Sequence, residues 1–164
     1  PPIRDARHRE ALWRAVRDGT VDVLGSDHAP HTRAEKAEPY PKSPSGMPGV
    51  QTLLPVMLDH VHAGRLSLTR LVDLTSAGPA RVFNIAGKGR IASGYDADFA
   101  LVDLQASRTI TDDWIASRCG WTPFAGMKVT GWPVATILRG RMVMREDELL
   151  GKPSGRPIRF GETL

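Results

Sequence analysis

Six consecutive residues, Ser26-Asp27-His28-Ala29-Pro30-His31, hold the densest chemistry in this chain. A carboxylate and two imidazoles within five positions can bind a metal ion, move protons, or do both. Plainer roles stay open on spacing alone: Asp27 as the cap of a following turn, His31 as a solvated turn residue. The string directly follows Val21-Asp22-Val23-Leu24-Gly25, a short apolar run rich in β-branched residues that reads as a buried strand. Polar groups at the end of a parallel strand lie on the face where α/β barrels build their active sites.

The elements around this box follow from periodicity and punctuation. Residues 5–18 read as an amphipathic helix with Ala11, Leu12, Ala15 and Val16 on one stripe, Asp5 as N-cap and Gly19 as the stop. Helix, turn and buried strand together make the αβ unit of a parallel α/β protein. Residues 32–49 carry Pro39, Pro41, Pro44 and Pro48 with no periodicity, and a loop of that length in a compact protein is usually functional or disordered. A helical pattern resumes over residues 50–63, and two short helices are expected at 68–74 and 76–83, separated by Gly78-Pro79. Strands are expected at 97–104 and at 134–144, the second interrupted by Gly140 as in a hairpin or bulge. Residues 119–132 show little periodicity, and the tail after Gly151 reads as extended. A change of character near residue 85 divides an α/β part, residues 1–85, from a β part, residues 86–164.

Composition narrows the class. The chain has 164 residues, 41% hydrophobic and 24% charged, which excludes intrinsic disorder. No apolar run approaches the roughly 18 residues of a membrane span, and no segment at the start resembles a signal peptide. The net charge of +4 comes from scattered cations without a basic stripe or aromatic platform, so no nucleic-acid partner is expected. A lone cysteine, Cys119, gives no internal disulfide and fits a reducing, cytoplasmic setting; it reads as a structural thiol. His60 and His62 lie two apart in a helical stretch and read as solvated, as do His8 and the loop charges Glu35 and Lys36.

Longer strings carry a specific resemblance. SDHAPHTRAEKAEP (26–39) followed by SPSGMPGVQTLLP (43–55) resembles the dihydroorotases, in the cyclic amidohydrolase branch of the amidohydrolase superfamily. Pro1-Pro2-Ile3-Arg4 and Gly19-Thr20-Val21-Asp22-Val23 are similar to family segments on one side of the box. Ser76-Ala77-Gly78-Pro79-Ala80-Arg81, Gly94-Tyr95-Asp96-Ala97-Asp98 and Pro123-Phe124-Ala125-Gly126 are similar to family landmarks on the other. DHAPH is particular to the subgroup, whereas GYDAD is shared across many amidohydrolases.

The resemblance implies an α/β fold: the last strand and helices of a (β/α)8 TIM barrel, with an active-site loop at 32–49, plus part of a small β-sandwich. It implies that Asp27 touches a catalytic zinc and serves as general acid/base. Zinc would lower the pKa of its bound water toward ~7, and the carboxylate would take the released proton. His31 then corresponds to the substrate-binding histidine of the box. Ser45 and Gly46 stand where the family's loop offers backbone groups to the substrate ring, although the family often has an aromatic residue where Ser45 stands. His28 is read as supporting rather than ligating.

The implied reaction is zinc-dependent, reversible hydrolysis of dihydroorotate to N-carbamoyl-aspartate in pyrimidine biosynthesis. A homodimer is the implied assembly, with aspartate transcarbamoylase as a further partner. A whole barrel takes about 250 residues, so the chain reads as a C-terminal portion, with the family's H-x-H pair, carboxylated lysine and other ligands upstream of Pro1. Alone it is expected to be inactive and to expose unpaired strand edges. Two other readings stay open: a hydantoinase, dihydropyrimidinase or allantoinase, and a non-catalytic dihydroorotase homologue that acts as a structural partner.

Overall fold

A computed structural model describes residues 5–161; the Pro1-Pro2-Ile3-Arg4 segment lies outside the described residues. Asp5 accepts a hydrogen bond from the Arg7 N–H at 2.9 Å and caps a short 3-10 turn, Ala6–His8, that leads into α1 (Arg9–Asp18). Gly19, at φ 94°, ends the helix as expected. The buried face differs from the expected stripe. Trp13 and Val16 turn toward the core while Leu12 stays 58% exposed. The Trp13 ring sets this face by packing edge-on against His60, ring centres 4.6 Å apart.

Residues 21–26 are extended, without helix, turn or bend, but join no ladder among the described residues, so the expected strand has no partner there. Hydrogen bonds to helices hold it instead: Val21 N–H to the Ala15 carbonyl and Leu24 N–H to the Leu74 carbonyl, each 3.0 Å. The partly buried Arg70 side chain adds bonds to the carbonyls of Val16 and Val21 and an ion pair with Asp73.

α2 (Arg33–Lys36) is a single turn within the 32–49 loop, and α3 (Leu53–His62) begins just after it. Pro55 fits the first turn of α3, where a backbone N–H would have no helical partner. α4 (Leu68–Val72) and α5 (Gly78–Val82) are not separated by Gly78-Pro79. A π-helical turn, Asp73–Ala77, joins them into one run. Pro79 is tolerated in the first turn of α5, and Gly78 passes so close to the Asp22 carbonyl oxygen that a Cβ would lie 2.4 Å from it. Leu58, Leu66, Leu71 and Leu74 form the core beneath the extended segment.

Four strands make an antiparallel meander in the order β1-β2-β3-β4: β1 (Phe99–Thr109), β2 (Lys128–Leu138), β3 (Arg141–Arg145) and β4 (Glu148–Leu149). β1 runs further than expected because a break in register between Asp103 and Ser107 is absorbed locally. The Asp103 carboxylate takes the N–H groups of Gln105 and Ala106 at 2.8 and 3.1 Å. β2 begins at Lys128, inside the stretch that lacked periodicity, because Val129, Gly131 and Trp132 are all buried and alternation is lost. Arg139 (φ 46°) and Gly140 (φ 77°) form the two-residue turn of the expected hairpin. β1 pairs only with β2 among the described residues, leaving its other edge unladdered, with Leu101 and Leu104 exposed. No helix is long and apolar enough to cross a membrane among the described residues.

α3 is the seam between helices and sheet. Its Leu58 lies against Gly131 of β2, and its Asp59 carboxylate accepts the Thr130 N–H at 2.9 Å. A second core, Ile110, Val129 and Trp132, sits under the sheet beside it.

Candidate functional site

The residues after the extended segment turn sharply. Asp27 has φ 44°, a left-handed conformation that few non-glycine residues adopt, Asp and Asn among them. Its carboxylate is exposed and has no hydrogen-bond partner among the described residues, so it does not cap the next turn. Thr32 does that instead. Thr32 Oγ1 accepts the Glu35 N–H at 3.2 Å, and the Glu35 carboxylate takes the Thr32 N–H at 2.6 Å, a complete capping box at the start of α2.

His28 makes a parallel bridge with Met47, and the Ala29 N–H donates to the Met47 carbonyl at 3.0 Å. His28 Nδ1 accepts the N–H groups of Gly49 and Val50 at 3.1 and 3.4 Å, so it supports the approach to α3. It also borders a cavity of about 280 Å³ lined by Pro48, Gly49, Gln51, Ile115 and Ser117. The loop crosses the box closely. A Cβ on Gly46 (φ 99°) would lie 2.6 Å from the Ala29 Cβ, and one on Gly49 would lie 3.0 Å from the Ser26 carbonyl oxygen. Only glycine permits both approaches without a shift.

His31 is half-buried, and both of its backbone polar groups are engaged. Its N–H donates to the Ala29 carbonyl at 2.9 Å, and its carbonyl accepts the Trp121 indole N–H at 2.7 Å. The Glu35 carboxylate lies 4.0 Å from His31 Nδ1. Hydrogen bonds from the Thr32 backbone and hydroxyl, with a smaller contribution from His31, hold the Glu35 carboxyl below its ordinary value and therefore ionised.

Ser45 is exposed, and the carbonyl of Gly46 is already occupied, accepting Lys36 Nζ at 3.1 Å. Lys36 Nζ also donates to the Pro44 carbonyl at 2.7 Å. Glu35 and Lys36 are therefore ties that shape the loop, not free solvated charges. The T-x-x-E spacing of Thr32 and Glu35 was the available signal for the first of them. Arg33 pairs with Asp112, and Gln51 clamps residues 114–116 through both ends of its amide; no local pattern marks those contacts.

His60 is another correction. It is partly buried against Trp13, with Arg65 at 3.0 Å from its Nδ1; burial, then the Arg65 charge, pushes its pKa down. His62 is exposed as expected, and Cys119 is a buried thiol directed at the Trp121 carbonyl at 3.6 Å.

Among the described residues, no three His, Cys, Asp or Glu side chains stand close enough to hold a metal ion. Asp27 alone does not fit zinc, which takes three or four protein ligands. The turn therefore presents an exposed, unpartnered carboxylate and, four residues on, a half-buried imidazole on a backbone hydrogen-bonded at both polar groups.

The chain is similar to known proteins along nearly its whole length. It is 46% identical to the dihydroorotase of Halobacterium salinarum over 97% of this chain and 37% of that protein. It is 42% identical to the dihydroorotase of Pyrococcus abyssi over 96% of this chain and 37% of that protein. The chain thus spans about a third of the length of the curated relatives it matches. Its structure superposes on the L-hydantoinase (dihydropyrimidinase) from Arthrobacter aurescens with a TM-score of 0.85 and 37% identity, covering 93% of this chain and 35% of that one. The dihydropyrimidinase from Brevibacillus agri gives a TM-score of 0.87 at 32% identity, covering 92% and 34%. The mixed α/β architecture is therefore that of a part of these enzymes. Residues 4–143 match the model of the amidohydrolase family, and with the sharp Asp27 turn, the helical run and strands β1 and β2 all in that matched span, the chain belongs to this family.

Proposed function

We propose that this chain carries one end of the active site of a dihydroorotase, which opens the cyclic amide of dihydroorotate to N-carbamoyl-aspartate and closes it again in pyrimidine biosynthesis. The observation that carries the reading is the Asp27–His31 turn, an exposed unpartnered carboxylate four residues before an imidazole tied down at both backbone groups. Amide hydrolysis adds a water oxygen to the ring carbonyl carbon, breaks the carbon–nitrogen bond and delivers a proton to the departing nitrogen. Asp27 suits both proton movements: its carboxylate takes a proton from the attacking water and returns it to the nitrogen. His31 donates a hydrogen bond to the substrate's carboxylate and orients the ring. Gly46, with its carbonyl occupied by Lys36, and exposed Ser45 offer their remaining backbone groups to the substrate ring.

The proposal includes zinc in the full-length enzyme, with Asp27 as this chain's contact to it. The described donors do not build that site, and no proton movement above is routed through a metal. Residues 1–85 belong in this reading to the barrel domain and residues 86–164 to the β-domain. A cytoplasmic homodimer, with aspartate transcarbamoylase as an additional partner, completes it. The hydantoinase-type alternative is favoured by the structural likeness at 37% identity. Identity to a dihydroorotase is higher, at 46%, and a carboxylate on the substrate would give the His31 imidazole a partner.

The test is turnover by the full-length protein of dihydroorotate, dihydrouracil, hydantoin and allantoin, with and without Asp27→Asn. Dihydroorotate should be the preferred substrate, and Asp27→Asn should lower kcat by about 10²–10⁴-fold. Preference for a ring without a carboxylate, or no turnover at all, would overturn the assignment in favour of the alternative cyclic amidohydrolase or the non-catalytic homologue.

A further inference from the structure

Residues 111–126 connect β1 to β2 as a loop that closes on itself. At its base the Ile110 N–H donates to the Met127 carbonyl at 2.9 Å, and the Gly126 N–H donates to the Ile110 carbonyl at 2.8 Å. Its near limb is fixed to the sheet: Trp114 packs on Trp132 at 4.6 Å and donates its indole N–H to Asp147 at 2.9 Å. Such a loop, with joined ends and its own packing, is complete without outside help.

Nevertheless it makes three side-chain attachments to the site. The Trp121 indole N–H holds the His31 carbonyl at 2.7 Å, across 90 residues of sequence. The Asp112 carboxylate is shared: one oxygen accepts the Thr122 N–H at 2.9 Å within the loop, and the other pairs with Arg33, two residues beyond His31. Gln51, adjacent to the Val50 N–H that His28 accepts, donates to the Trp114 carbonyl at 2.7 Å and accepts the Ala116 N–H at 2.8 Å. All three land on backbone or side chains that flank the two box histidines.

We propose that loop 111–126 is a positioning element of the site, in which the Trp121 indole fixes the His31 carbonyl and thereby sets where the His31 imidazole meets an anionic group of the substrate. Both His31 backbone groups are held, the N–H by Ala29 and the carbonyl by Trp121, so a residue of the β part constrains its Cα–Cβ direction. The inference rests on the reading of His31 as a substrate contact. Trp121 is a positioning residue: it acts through His31 and touches no reacting atom.

The experiment is Trp121→Phe in the full-length enzyme, which keeps a ring in place and deletes the N–H. KM for dihydroorotate should rise about tenfold, the equivalent of one hydrogen bond, with kcat within about twofold. Asp112→Asn keeps an acceptor for the Thr122 N–H but loses the Arg33 ion pair; it should raise KM in the same direction, and it carries the test if Trp121→Phe does not fold. Histidine-selective NMR supplies a readout that needs no turnover: the His31 ring signal should shift or broaden in both variants while that of His60 stays put. Unchanged KM and an unchanged His31 signal, with only a lower Tm, would overturn the proposal. If the unsubstituted enzyme does not turn over dihydroorotate, the assigned reaction fails, and the His31 signal alone decides for or against the positioning role.

Discussion

Gly131 offers a sharp test of how the helices and the sheet are joined. It sits in β2 at φ 101°, and a Cβ there would lie 2.6 Å from the Cβ of Leu58, itself buried in α3. Gly131→Ala therefore meets two penalties. A left-handed backbone costs an L-residue about 1–2 kcal/mol. Forcing a methyl group into a packed seam costs about 1–3 kcal/mol more, because α3 or β2 must move. Gly19→Ala isolates the first penalty: Gly19 has φ 94° and nothing within 4 Å of its virtual Cβ. Thermal unfolding should then show a loss of about 2–5 kcal/mol for Gly131→Ala against about 1–2 kcal/mol for Gly19→Ala. At 2–4 °C per kcal/mol for a chain of this size, the two Tm values should differ by roughly 2–12 °C. Equal losses at the two positions would refute the claim that α3 and β2 meet at that contact.

Three further outcomes follow from the described geometry. Thr32→Ala should remove the capping box of α2, costing about 1 kcal/mol and speeding proteolysis of the 33–44 segment, as followed by limited digestion. Because burial and Arg65 hold the His60 pKa below its ordinary 6.5, the unfolded chain binds the proton more readily. Stability should therefore be full above that pH and fall as acid is added; a Tm-against-pH series should show this loss, and His60→Phe, which keeps the stack on Trp13, should flatten it. Asp98 is ionised against the cost of its own burial because Lys88 and the Arg139 N–H outweigh that cost, so its pKa is lowered. Its contribution is present above 3.8 and lost as pH falls through the lower folded value, so Asp98→Asn should remove part of the acid limb of the same series.

What was legible in the residues is what local forces decide. The cap at Asp5, the stop at Gly19 and the turn at Gly140 depend on the conformational needs of one or two positions, and each appears where its chemistry requires. The cluster of carboxylate and imidazoles from Asp27 to His31 is legible in the residue types, whereas the left-handed backbone at Asp27 is not. Long-range packing hid the rest. β2 buries the neighbours Gly131 and Trp132 and leaves only Lys128 exposed, which erases the alternation that marks a half-exposed strand. Gly78-Pro79 looked like a break, yet the helical run continues through it, because Pro79 sits in the first turn of α5 where it costs no helical hydrogen bond. Likewise His60 and Lys36 gained their roles from Trp13 and from the Pro44 and Gly46 carbonyls. The loop at 111–126 reaches His31 across a separation that no windowed pattern spans.

The left-handed backbone at Asp27 acts as a filter on residue identity that is independent of proton chemistry. At φ 44° the short polar side chains of Asp and Asn are tolerated far better than β-branched ones. Glutamate has the same functional group and can take this backbone, as Glu146 does at φ 48°, but its extra methylene moves the carboxylate. Asparagine passes the conformational filter and fails only the chemical one. A saturation library at this position should consequently grade in folding yield, with β-branched residues lowest, Asn among the folded and inactive members, and no residue other than Asp both folded and fully active.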